Sequence, residues 1–140
     1  YVNDSKGTNV DATLNAVANM ERDTVLLLGG KDKGYDYDAL FAGLKNSRMV
    51  QAVLYGENRF KLFDSAVRTG ESRVTLCADF SLAVRIAAMT AKPGQCVLLS
   101  PASSSFDAFS GYEERGERFE QIVKEMGEKD AAGGVYDCAE

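Results

Sequence analysis

Apolar residues in this chain gather in short runs, most of them ended by glycine or proline and followed by a polar, charged segment. Residues 24–28 are near-continuously apolar and stop at Gly29-Gly30, which predicts a strand buried on both faces that meets a tight turn. Further strands are expected at 50–55, 73–76 and 96–99, and Tyr1-Val2 reads as the tail of another. Between them the apolar spacing changes to three and four. Asn9 or Asp11 can cap a helix to about Met20 through Leu14, Val17 and Ala18. Residues 37–44 use Leu40, Phe41 and Leu44, and Phe60, Leu62, Phe63 and Val67 form a short helix closed by Gly70. Asp79 caps a helix that runs to Pro93-Gly94, and a final helix spans about 112–126.

Strands alternating with helices of about ten residues imply βαβ units, and so an α/β domain with a mostly parallel sheet and helices on both faces. No internal repeat or linker divides the chain, so residues 1–126 are expected to form one domain, with a frayed tail over 127–140. The abrupt start on a strand suggests a domain taken from a longer protein. In such sheets ligands bind outside the carboxyl ends of the strands. That rule selects four loops, 3–9, 29–35, 56–61 and 100–112, where the polar and glycine residues are concentrated.

Composition narrows the chemistry. A net charge of −5 argues against nucleic acid, which needs a basic face. No apolar run approaches the roughly 20 residues of a membrane span, and no signal-peptide pattern appears. Cys77, Cys96 and Cys138 are odd in number and lack CxxC spacing, and histidine is absent. Neither a zinc site nor a disulfide framework is expected; reduced thiols fit a cytoplasmic protein. Without histidine, any proton transfer falls to a carboxylate, a lysine or the substrate itself.

Each loop has a functional and a plain reading. Residues 3–9 offer Asp4, Lys6, Thr8 and Asn9 before a helix start that favours an anion, or they simply cap that helix. In residues 29–35, a lysine can hold a phosphate or carboxylate while Asp32 orients a hydroxyl or metal-bound water, or the string is a charged surface turn. No GxxxxGK[ST] occurs. Residues 100–105 carry serines that can cradle a carboxylate; without a GxSxG elbow or a histidine they make no serine hydrolase. Asp107 can cap the turn, with Phe106 and Phe109 packing. Residues 113–118 read as a solvated helix face with Glu114 and Arg118 paired at i, i+4.

Four strings taken in order, DSKGTN at 4–9, LLLGGKDKG at 26–34, YGEN at 55–58 and LLSPASSSFDAFSGYEERG at 98–116, resemble the Mur ligase family over about residues 1–126. The last string is the most specific and points to the D-glutamate-adding branch. The resemblance implies a Rossmann-like C-terminal domain, in three layers, of an enzyme whose N-terminal UDP-binding and central ATPase domains lie outside this chain. The implied reaction uses ATP and magnesium to turn the carboxylate of UDP-N-acetylmuramoyl-L-alanine into an acyl phosphate, which the amine of D-glutamate attacks, in peptidoglycan biosynthesis. The implied enzyme is a cytoplasmic monomer whose C-terminal domain closes over its central domain. The isolated chain would be inactive and would hold no metal or cofactor tightly.

By the same resemblance, Asp4, Lys6, Thr8, Asn9 and Asp32 would face the nucleotide. Lys33 would bind the D-glutamate carboxylate or steady the acyl phosphate. Ser105 and Phe106 would hold D-glutamate by hydroxyl and backbone amide, Tyr112 would close the pocket, and Lys61 is a further carboxylate partner. Two departures stand out. The position of Tyr112 is often phenylalanine in the family, so no role is assigned to its hydroxyl. Ser103-Ser104 stands where cysteine and alanine are common. The competing readings are a non-catalytic amino-acid or nucleotide binding module of the same fold, and an interaction domain without a ligand.

Overall fold

The computed structural model describes residues 1–127 and the backbone of residues 136–137. The chain runs β1 (Val2–Asn3), α1 (Val10–Ala18), β2 (Thr24–Gly29), α2 (Asp38–Leu44), β3 (Met49–Tyr55), α3 (Arg59–Thr69), β4 (Val74–Leu76), α4 (Phe80–Thr90), β5 (Cys96–Leu99), α5 (Tyr112–Gly127) and β6 (Tyr136–Asp137). The strands form one sheet in the order β4-β3-β2-β5-β1-β6, and every pairing is parallel.

Period-two alternation along the central strands divides the core into two layers. Leu26 and Leu28 of β2, Ala52 and Leu54 of β3 and Leu98 of β5 meet α1, α2 and α3 through Val17, Leu40, Phe41, Leu44 and Leu62. Val25, Leu27, Val53, Val97 and Leu99 point to the other face, against Ala83, Val84 and Ala87 of α4 and Phe119, Ile122 and Val123 of α5. Burial on both faces explains why β2 is an unbroken apolar run. The predicted caps are present: Asn9 Oδ1 accepts from the Ala12 N–H at 2.9 Å, and an Asp79 carboxylate oxygen accepts from the Leu82 N–H at 3.0 Å.

Two features differ from the expectations. Lys61 belongs to the first turn of α3, because the turn after β3 is completed by residues 56–58. Of the tail expected to fray from residue 127, Gly127 ends α5, and the backbone of β6 lies parallel to β1. The rest of that tail lies outside the described residues. Among the described residues no helix is long and apolar enough to cross a membrane.

From β2 the chain steps outward to β3 and β4, then returns to lay β5 on the opposite side of β2. The chain thus changes direction across the sheet between β2 and β5, the kind of switch point at whose carboxyl ends ligands bind in parallel sheets. Gly29 closes β2 at φ 140°, and a Cβ built there would stand 1.9 Å from the Tyr55 carbonyl oxygen. Only glycine lets β2 and β3 run side by side to their ends. Gly29→Ala is expected to destabilise the protein by about 3 kcal/mol or more through strain and clash; urea denaturation checks this, and an unchanged midpoint would refute it.

Candidate functional site

The segments after β2, β3 and β5 are joined by Asn58, which is buried. Its Oδ1 accepts from the Gly30 N–H at 2.9 Å, and its Nδ2 donates to Tyr37 Oη and Ser103 Oγ, both at 2.8 Å. Alongside, the Lys31 N–H donates to the Ser104 carbonyl at 2.9 Å. A Cβ at Gly30 would stand 2.1 Å from that same carbonyl oxygen, so the two loops touch backbone to backbone. A side-chain amide suits this junction because it donates and accepts at once.

Arg115 corrects the reading of residues 113–118 as a solvated face. Its side chain is fully buried (0% exposed) and spans the loops after β1 and β5. Nε donates to Ser5 Oγ at 2.9 Å, one terminal nitrogen to the Ser5 carbonyl at 2.7 Å, and the other to the Ser103 carbonyl at 2.9 Å. Ser5 Oγ donates in turn to the Tyr112 carbonyl at 2.6 Å. Burial lowers the Arg115 pKa, while Tyr55, Asp107 and Asp4 nearby favour its charged form. Burial likewise raises the Tyr55 phenol well above its ordinary value. Nor do Glu114 and Arg118 pair: Glu114 accepts from the Ser110 N–H at 3.0 Å, and Arg118 reaches Ser81 Oγ at 3.4 Å.

At the carboxyl ends of the strands the charges are partly matched. Lys61 lies 3.0 Å from an Asp32 carboxylate oxygen, and Lys31 lies 3.4 Å from Glu57. The Gly34 N–H donates to Asp32 at 2.9 Å; that bond, followed by the one from Lys61, holds the Asp32 carboxyl below its ordinary pKa. Lys33 is exposed and has no carboxylate partner among the described residues. It is therefore the cation of this loop best placed to meet an incoming anion.

Two cavities share Thr8 as a wall. One, of about 360 Å³, is lined by Thr8, Ser104, Ser105, Phe106 and Tyr112, with Glu113 and Glu114 at its rim. The other, of about 760 Å³, lies between Thr8 and Asn9 on one side and Gly34, Tyr35 and Tyr37 on the other. Phe106 is 64% exposed in the smaller cavity, whereas the Ser104 and Ser105 hydroxyls are buried without a hydrogen-bond partner among the described residues. The structure thus brings Ser105, Phe106, Tyr112 and Thr8 together and puts Asn9 next door. Asp32, Lys33 and Lys61 line neither cavity but stand on the adjoining loop and helix. Asp4 is only 2% exposed, and its carboxylate accepts from Ser100 Oγ at 2.7 Å. Lys6 is exposed at the edge of a third cavity, beside Glu113 and Glu117.

Residues 1–103 match the family described as Mur ligase, glutamate ligase domain. The chain belongs to the Mur ligase family. It is similar to the UDP-N-acetylmuramoylalanine–D-glutamate ligase of Chlorobaculum tepidum, 41% identical over 126 residues, covering 90% of this chain and 26% of that protein. The enzyme of the same name from Desulfitobacterium hafniense is 40% identical over 124 residues, covering 89% and 27%. That from Bacteroides fragilis is 41% identical over 128 residues, covering 90% and 28%. The chain therefore spans about a quarter of the length of these Mur ligase relatives.

Asn58 and Arg115, which tie the loops of this Mur ligase domain together, are not among the candidate residues that the sequence singles out. A signal for Arg115 existed. It shares a helical face with Phe119, Ile122 and Val123, the apolar stripe of α5, so its charge sits where the period calls for burial. Arg115→Met keeps the stem and strands the carbonyls of Ser5 and Ser103. It is expected to cost about 2–4 kcal/mol in urea denaturation, and a loss under about 0.5 kcal/mol would show that the guanidinium is dispensable. Asp32 offers a second check by carboxyl NMR titration. Its folded pKa is lowered, so the contribution of its ionised form is present above the unfolded pKa and lost as pH falls through the folded value. Asp32 should titrate below an ordinary aspartate and move toward it in Lys61→Ala.

Proposed function

We propose that this chain is the D-glutamate-receiving domain of an ATP-dependent ligase that joins D-glutamate to UDP-N-acetylmuramoyl-L-alanine in peptidoglycan biosynthesis. One observation carries the reading: Ser104 and Ser105, whose buried hydroxyls have no hydrogen-bond partner among the described residues, line a cavity large enough for a small amino acid. Hydroxyls, free backbone amides and a lysine are suitable receptors for a dicarboxylic acid. The relatives are ligases, which favours this reading over a non-catalytic binding module.

In this proposal Ser105, the Phe106 amide and Lys33 hold the D-glutamate carboxylates, and Tyr112 closes the pocket. Lys61, already paired with Asp32, stands behind as a weaker partner. The intact enzyme uses ATP with magnesium as cofactor, and the larger cavity is the nucleotide edge. Thr8 and Asn9 line it directly, Asp32 supports its wall by accepting from the Gly34 N–H, Lys6 approaches the nucleotide from the loop before Thr8, and Asp4 shapes that loop from within by holding Ser100. ATP would supply the activation of the acceptor carboxyl. The amine of D-glutamate, once deprotonated, forms the new bond to that carbon as phosphate leaves. This domain's contribution is to place the amine and to balance charge, so the absence of histidine is no obstacle. The reading assigns the remaining substrate and magnesium sites to the N-terminal and central domains of a monomeric protein.

Lys33→Ala tests it. Because the side chain is exposed and unpaired, folding should be unaffected. In the intact protein, kcat/KM for D-glutamate should fall about 100-fold or more. Steady-state kinetics with purified UDP-N-acetylmuramoyl-L-alanine would give the answer, and full activity in the variant would favour an interaction domain instead.

A further inference from the structure

Three consecutive serines follow Ala102, and their hydroxyls have different fates. Ser103 is used by the fold: its Oγ accepts from Asn58 at 2.8 Å and its carbonyl from Arg115 at 2.9 Å. The backbone of Ser104 is equally pinned, since its carbonyl accepts the Lys31 N–H and packs against Gly30. Its hydroxyl is not. Ser104 Oγ is buried in a residue 8% exposed, Ser105 Oγ in one 1% exposed, and neither has a hydrogen-bond partner among the described residues. Both residues line the cavity of about 360 Å³ with Thr8, Phe106 and Tyr112.

A buried hydroxyl without a partner weakens a folded chain, so native structures seldom keep one without a use. Resting on the reading that this cavity receives D-glutamate, we infer that Ser104 is a specificity-determining residue. Its Oγ–H and that of Ser105 together donate to one ligand carboxylate. Two neighbouring O–H donors match the two oxygens of a carboxylate, and bonds to a charged acceptor are the stronger kind. Glu113 and Glu114 at the rim are exposed, so water screens their repulsion of the ligand.

The test is Ser104→Ala in the intact protein, with Ser105→Ala made in parallel. Ser104→Ala should raise KM for D-glutamate about tenfold, the loss of one hydrogen bond to a charged group. It should leave KM for ATP unchanged, and the Tm of the ligand-free protein unchanged or higher. If Ser105→Ala raises KM for D-glutamate and Ser104→Ala does not, the Ser104 assignment is wrong and the D-glutamate reading stands. If neither variant changes KM, both fall. A Ser104→Ala protein whose ligand-free Tm drops by several degrees would show that the hydroxyl serves the fold, which also overturns the assignment.

Discussion

The buried guanidinium of Arg115 is the constraint on which the functional end of this domain depends. Taking a guanidinium out of water costs several kcal/mol, and the cost is tolerable only when its donors are satisfied. Here the acceptors are Ser5 Oγ and the carbonyls of Ser5 and Ser103, with Asp4 and Asp107 close enough to favour the charge. Those acceptors lie in two loops that the sheet brings side by side, one after β1 and one after β5. A planar fork can bind both at once only if both hold their places. The cation thus fixes the separation of Thr8 and Ser105, the walls of the candidate ligand cavity.

Asn58 plays the complementary part on the other side of β2. It ties the Gly30 amide, the Tyr37 hydroxyl and Ser103 together, so the loops after β2, β3 and β5 form one junction. Among the described residues the buried hydroxyls of Ser104 and Ser105 are left without a partner, and the exposed Lys33 has no carboxylate partner. A rigid polar scaffold that leaves a small set of donors unused is what preorganised recognition of an anion requires.

The charges at the carboxyl ends of the strands follow the same division. Lys31 and Lys61 are matched by Glu57 and Asp32, which sets the shape of the loop after β2, whereas Lys33 is directed to solvent. Exposed pairs of this kind contribute little to stability. Their effect is to decide which of three lysines remains available.

Much of this architecture was legible in the order of apolar runs. The unbroken run of β2, the caps at Asn9 and Asp79 and the glycines after β2 define the elements locally, and parallel connection places the loops at one end of the sheet. The strings around Lys33 and Ser105 already pointed to the family. What the chain alone did not disclose was the fate of individual polar groups. Arg115 meets Ser5, 110 positions away, and Asp4 meets Ser100, 96 away. Lys61, expected to meet a ligand carboxylate, meets the Asp32 carboxylate of its own chain. Local pattern decides where a strand or helix forms, because its period is written in neighbouring residues. Whether a polar side chain ends as a structural tie or as a ligand donor depends on partners that only the folded sheet brings within about 3 Å.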